Sequence, residues 1–165
     1  MAAPVVIDNS SCQFKPHASF MYVKQTLNVS NNDKFGHNFK LDLLPKGFNS
    51  SIPPGVTMPF TLIDNNAAKK PKEFSCSIHT MNGWLQINEN PFGAVSKADG
   101  TFEIKGLPLE ELEFQIWHEQ IGFVPKVKFK GGQADDTGRF KTTLKAGVLD
   151  LETISVPTSL ISTKD

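Results

Sequence analysis

Short apolar runs broken by proline, glycine and asparagine leave this chain little room for helices. Ile52-Pro53-Pro54-Gly55 cannot continue a backbone ladder, because proline has no N–H to donate, so it marks a strand end. Asn31-Asn32-Asp33 and Ala98-Asp99-Gly100 are turn signals of a second kind, built from residues that tolerate tight reversals. Between such breaks lie candidate strands at 20–23, 26–29, 58–63, 74–79, 84–87, 101–104, 139–144 and 148–154. A helix competes only at 109–120, where Glu110 and Glu111 would suit a helix N-terminus. Leu112, Phe114 and Ile116 nevertheless alternate with Glu113 and Gln115, the period of a half-buried strand, and strand is the expectation. There is no fixed-period repeat. The Ser/Thr-rich tail at 157–165 is expected to fray. These signals together imply an all-β, sandwich-like fold class.

The 165 residues suit one domain, or one domain with a sizeable extension. Thirteen Phe and two Trp are enough for a real core. Seventeen basic and seventeen acidic residues cancel, and the one basic cluster, Lys69, Lys70 and Lys72, reads as a solvated loop. Without a basic stripe, nucleic acid is not an expected partner. No apolar run is long enough for a membrane span. The start, MAAPVVIDNSS, lacks the charged and apolar regions of a signal peptide.

Cys76-Ser77-Ile78-His79 sets a thiolate donor and an imidazole donor three residues apart, with the Met81 thioether two further on. His37, after the Asn31-Asn32-Asp33 turn, offers a second imidazole. Two His, one Cys and a weak sulfur donor are the ligand types of a blue-copper electron-transfer site: the thiolate suits Cu(I) and the imidazoles suit Cu(II). Zinc is the rival for any Cys/His set. A structural zinc site usually needs four strong ligands, often as CxxC pairs, and this chain has only Cys12 and Cys76. Taken alone, CxxH is a weak signal, and an inert buried thiol is the plainer reading.

Several motifs occur together in order: CQFKPH at 12–17, NNDKFGHN at 31–38, FNSSIPPG at 48–55, CSIHTMNGW at 76–84, NPFGAVSKADGTFEIKGLP at 90–108 and WHE at 117–119. As a set they resemble a bacterial family of secreted cupredoxin-like copper proteins, of the planctomycete and methylamine-utilization type, over residues 5 to about 125. The resemblance implies a cupredoxin-like Greek-key β-sandwich holding one copper ion, with export to the periplasm or outside the cell. A signal segment removed from the mature chain, with Met1 added, would fit that. By position it implies His37 as the upstream imidazole ligand, Cys76 as the thiolate and His79 as the second imidazole.

The family's His and Met are separated by two residues, whereas here Thr80 alone separates His79 from Met81. Were 79–81 extended, the two Cα atoms would lie roughly 6.6 Å apart with both side chains on one face, so Met81 is expected as a weak axial ligand. The family's Gly after LP is also missing, replaced by Leu109-Glu110-Glu111. Residues 90–119 further resemble half of a carboxypeptidase-regulatory-like β-module. The expected organisation is therefore a sandwich over 1–90 and a β extension over 91–156.

Cys12, His17 and His118 are read as structural: a small buried hydrophobe and two hydrogen-bonded imidazoles. A Cys12–Cys76 disulfide would abolish the copper site. No catalytic motif such as HExxH, a phosphate loop or a nucleophile elbow is present, so the chain is not expected to be an enzyme. The leading expectation is a monomeric electron carrier with a redox partner protein. The alternatives are a copper-binding or delivery protein and a metal-free β-sandwich binding module.

Overall fold

In the computed structural model, residues 2–63, 66–145, 147–156 and 158–161 are described. They form two compact units, Met1–Lys105 and Gly106–Asp165. The division falls after Lys105 rather than after residue 90, and the packing of 91–105 explains why. A Cβ on Gly93 would lie 2.3 Å from the ring of Phe20, and the Asn88 side chain donates to the Phe92 carbonyl at 3.2 Å. Those contacts hold the segment after residue 90 to the first unit.

The first unit is a sandwich of two sheets. One contains β1 (Val5–Asn9), β2 (Phe14–Lys15), β4 (Thr26–Asn31) and β7 (Thr57–Thr61), in the order β2-β1-β4-β7. The other contains β3 (Ala18–Tyr22), β5 (His37–Leu41), β6 (Phe48–Ile52), β8 (Lys72–Cys76) and β9 (Met81–Asn88), in the order β3-β9-β8-β5-β6. The chain crosses repeatedly between them, so β1 pairs parallel with β4 and β3 parallel with β9, while the other pairings are antiparallel. This is the all-β sandwich expected from the turn-punctuated sequence.

Alternation decides which side chains meet between the sheets. Leu27, Val29 and Asn31 point inward from β4; His37, Phe39 and Leu41 from β5; Phe74 and Cys76 from β8; Met81, Gly83, Leu85 and Ile87 from β9. Phe39 is the hub, with ring centroids 6.0 Å from Phe14, 5.5 Å from Phe60 and 5.4 Å from Phe74. Gly83 is required by a close approach: a Cβ there would meet the Phe74 ring at 2.4 Å and the His17 carbonyl at 2.6 Å. That space lets the His17 carbonyl accept the Trp84 amide at 2.8 Å.

The second unit holds β10 (Glu111–Gln115), β11 (Trp117–His118), β12 (Gly122–Phe123), β13 (Lys128–Phe129), β14 (Gly132–Gln133) and β15 (Arg139–Thr143), paired as three two-stranded sheets. Its own core is Val124, Val127, Ala134 and Phe140, with the Phe129 ring centroid 4.4 Å from that of Phe140. Residues 109–120 therefore form strand rather than helix. Two other expected strands do not form. At 101–104 the turn is present, with Thr101 bonded to the Asp99 carboxylate through its amide at 2.9 Å, but the chain beyond it joins no ladder. At 148–154 Val148 is left exposed and no ladder forms among the described residues; the Lys130 amide donates to the Leu151 carbonyl at 3.0 Å, and Lys128 bridges to Ser155 just beyond. Residues 158–160 of the expected frayed tail form a short 3-10 turn (Thr158–Leu160), while 157 and 162–165 lie outside the described residues. No helix among the described residues is long and apolar enough to cross a membrane.

Because Phe39 is fully buried among three other rings, Phe39→Ala should lower the unfolding free energy by about 3–5 kcal/mol in urea denaturation. A loss under about 1 kcal/mol would show that this ring cluster does not organise the sandwich.

Candidate metal centre

The ends of three inward-facing rows converge. His37 is the first residue of β5, Cys76 the last of β8, and Met81 the first of β9. These strands are neighbours in one sheet, so parity and pairing alone bring the three side chains to one end of the core. His79 arrives differently. The strand expected over 74–79 stops at Cys76, and 77–80 turn back into β9. The Ser77 amide is drawn to the Asn38 side-chain oxygen at 3.2 Å, and the His79 carbonyl accepts the Met81 amide at 2.8 Å. The extended path expected for 79–81 is therefore not formed. Instead, the ladder pairs Met81 directly with Cys76, which sets their Cβ atoms about 4.5–5.5 Å apart on one face.

His37, Cys76 and His79 form a cluster whose three donor atoms all lie within 4.8 Å of one another. Cys76 Sγ is 3.9 Å from His37 Nδ1 and 3.8 Å from His79 Nδ1. Nitrogen and sulfur ligands at the usual ~2.0–2.3 Å from one ion stand about 3.4–3.8 Å apart, so the observed sulfur–nitrogen separations suit a single shared ion. Two imidazoles and a thiolate are the donors of a copper site rather than of a structural zinc site. His37 is fully buried, Cys76 is 6% exposed, and His79 is half-buried. Both imidazoles pack against Phe35, whose centroid lies 5.3 Å from His37 and 5.5 Å from His79.

Backbone amides are aimed at the sulfur. Burial pushes the Cys76 thiol up, but the Asn38 amide, His37 and the Ile78 and His79 amides outweigh it and bring the thiol from 9.0 to about 6. The Asn38 amide lies 3.3 Å from Sγ. The Asn38 side chain also donates to Asn49 Oδ1 at 2.8 Å and to the Ser50 carbonyl at 3.2 Å, tying β6 to the turn that carries His79. Asn31 does the same for the loop before His37. It donates to the Phe35 and Ile52 carbonyls at 2.9 and 2.8 Å and accepts the Asp33 amide at 3.0 Å. On the far side of the His37 ring, Nε2 meets Asp33 Oδ2 at 2.8 Å. The Cys12 amide, ahead of the contacts with His37 and Ser11, holds the Asp33 carboxyl below its ordinary value.

In the sequence Asn31 and Asp33 signal only a turn and Asn38 signals nothing, although all three lie in the NNDKFGHN motif. The one available signal was a carboxylate four residues before a histidine, and in a loop that spacing implies no contact. The residues left outside the cluster are equally clear. Cys12 and Cys76 are both free, with Cys12 exposed rather than buried as expected. His17 is exposed, and His118, in the second unit, accepts the Gln120 amide on Nδ1 at 3.2 Å.

No family model matches the sequence, and no curated protein matches it either. Among solved structures, a Cu-containing nitrite reductase (NirK) from Thermus scotoductus SA-01 is similar over 55% of this chain at 20% identity, with a TM-score of 0.47. The match spans only 23% of that reductase. A proline-to-alanine mutant of amicyanin in its oxidized state is similar over 52% of this chain and 82% of its own, at 13% identity and a TM-score of 0.44. The reduced Cu(I) form of a proline-to-glycine amicyanin mutant is similar over 53% of this chain and 85% of its own, at 14% identity and 0.45.

The thiol's lowered value has a definite sign. Between pH 6 and 9 the unfolded chain holds a proton on Cys76 that the folded, metal-free chain has released, so stability should rise with pH across that window and fall as pH drops toward 6. Thermal unfolding of the metal-free protein checks this, with Cys76→Ser expected to flatten the slope. An equal slope in that variant would place its origin elsewhere.

Proposed function

We propose that the protein is a mononuclear blue-copper electron carrier, with copper held by His37 Nδ1, Cys76 Sγ and His79 Nδ1 and, more weakly, by the Met81 thioether. The observation that carries this reading is the two-imidazole, one-thiolate cluster with sulfur–nitrogen separations near those of ligands sharing one ion. Bound copper would supply a one-electron Cu(I)/Cu(II) couple, which this mixed donor set suits in both states. Met81 belongs to the set because its strand register places it beside Cys76 and axial contacts are long and weak.

The same residues indicate where electrons would pass. His79 is the half-buried member of the cluster, and beside it Phe35 is 47% exposed and Ile78 59% exposed. A redox partner protein docking on those apolar side chains would meet the imidazole edge with little water between. The cupredoxin-like motifs in the sequence support this reading, and with it we propose a periplasmic or extracellular location, a monomeric state and, over residues 90–119, half of a carboxypeptidase-regulatory-like β-module. A second reading, copper delivery, is favoured by the surface groove bounded by Glu73, Ser75, His79 and Asn82, which reaches Cys76 and Met81 and offers a path for metal exchange.

Voltammetry of the copper-loaded protein separates the two. A carrier gives a reversible one-electron wave and retains its metal against a chelator; a delivery protein surrenders copper quickly. Met81→Leu should keep copper and colour yet raise the reduction potential, because Cu(II) loses a donor. An unchanged potential and spectrum would remove Met81 from the ligand set.

A further inference from the structure

We propose that Asp33 is the positioning residue of the upstream ligand, and that the exposed corner at Ser11 and Cys12 exists to hold Asp33 in place. This rests on the copper reading of the site above. His37 is fully buried and has a polar partner on each side: Asp33 Oδ2 at 2.8 Å on Nε2, and Cys76 Sγ at 3.9 Å on Nδ1. The Asp33 carboxylate is itself gripped. Its Oδ1 accepts the Ser11 amide at 2.7 Å and its Oδ2 accepts the Cys12 amide at 3.0 Å, while its own amide is fixed by Asn31.

A carboxylate that already accepts two amides is an acceptor toward the imidazole as well, so Nε2 must donate. The proton on Nε2 leaves the lone pair on Nδ1, aimed at Cys76 and His79. The carboxylate thus selects the tautomer and ring orientation that a metal needs, and its charge makes the imidazole a stronger donor.

The corner that grips Asp33 is conformationally costly. Ser11 and Cys12 both have positive φ, 58° and 54°, which L side chains adopt reluctantly. The corner is closed by reciprocal backbone bonds between Ser10 and Gln13, at 3.0 and 3.3 Å. Ser11 and Cys12 are the central pair of the two-residue hairpin turn between β1 and β2, which calls for positive φ at both, and that turn presents two adjacent amides to one carboxylate. Of the CQFKPH motif, the part that serves the metal centre is therefore the Cys12 backbone, together with that of Ser11 just before it, and the Cys12 thiol is dispensable.

The test uses the full-length protein in three forms: parent, Asp33→Ala and Cys12→Gly. In the metal-free parent at mildly alkaline pH, nitrogen NMR of His37 should show the proton on Nε2. Competition with a chelator should show Cu(II) binding weakened about 10–100-fold in Asp33→Ala. The reduction potential of that variant should rise, and Asp33→Glu should restore part of both. Cys12→Gly should match the parent, since glycine accepts the positive φ and keeps the amide. A proton on Nδ1 of the parent, or equal copper affinity and potential in parent and Asp33→Ala, would overturn the proposal. Should Asp33→Ala fail to fold, the parent's nitrogen assignment still decides. A parent that bound no copper would sink the copper reading, and the same assignment would still judge the Asp33–His37 contact.

Discussion

The period-two alternation of three adjacent strands is the constraint on which the site depends. In β5, β8 and β9 the residues that fill the core are Phe39 and Leu41, Phe74, and Leu85 and Ile87. Continuing each inward row to the end of its strand gives His37, Cys76 and Met81. A slip of one residue in any strand would move its donor terminus to solvent and an outward-facing residue into the core. Hydrophobic packing therefore fixes the donors' positions: the energy that assembles the sandwich also holds the thiol and the imidazole where one ion could bridge them.

Packing alone does not orient these groups. A fully buried imidazole and a nearly buried thiol lose water, and the lost hydrogen bonds must be replaced. Three short polar side chains from one motif do this. Asn31 braces the loop before His37, Asp33 takes the far ring nitrogen, and Asn38 links β6 to the 77–80 turn while its amide meets the sulfur. The result is a donor set already assembled before metal arrives, with the thiol biased toward thiolate. Under the copper reading, a preassembled site of this kind would limit rearrangement on a change of oxidation state.

Much of this was legible in the sequence, and the gaps have physical causes. Alternation at 26–29 and 112–116 reported half-buried strands, and Ile52-Pro53-Pro54-Gly55 marked the end of β6. The strand expected after Asp99-Gly100 was inferred from a turn that does form, but residues 101–104 find no partner; a turn signal is local, whereas a strand needs a second strand. β5 does carry a local signal, since Phe39, Leu41 and Leu43 alternate with Asn38, Lys40 and Asp42, whereas VVIDN of β1 and FNSSI of β6 show no clean alternation and only tertiary pairing resolves them. CxxH gave the spacing of Cys76 and His79 but not the turn between them, which the contact from Asn38 to Ser77 fixes over a long sequence separation. The grip of the Ser11–Cys12 corner on Asp33 is likewise long-range, and the four-residue step from Asp33 to His37 implies no contact when it lies in a loop, so no local pattern could announce either.

The most direct test is a titration of the metal-free protein with Cu(II), followed in the visible range. An intense thiolate-to-copper band in the red is predicted to grow in and saturate at one equivalent. It should persist in His118→Ala and vanish in Cys76→Ser, with the fold of both variants intact by circular dichroism. A colourless complex, or a Cys76→Ser protein that kept the band, would contradict the assignment of His37, Cys76 and His79 as a blue-copper site.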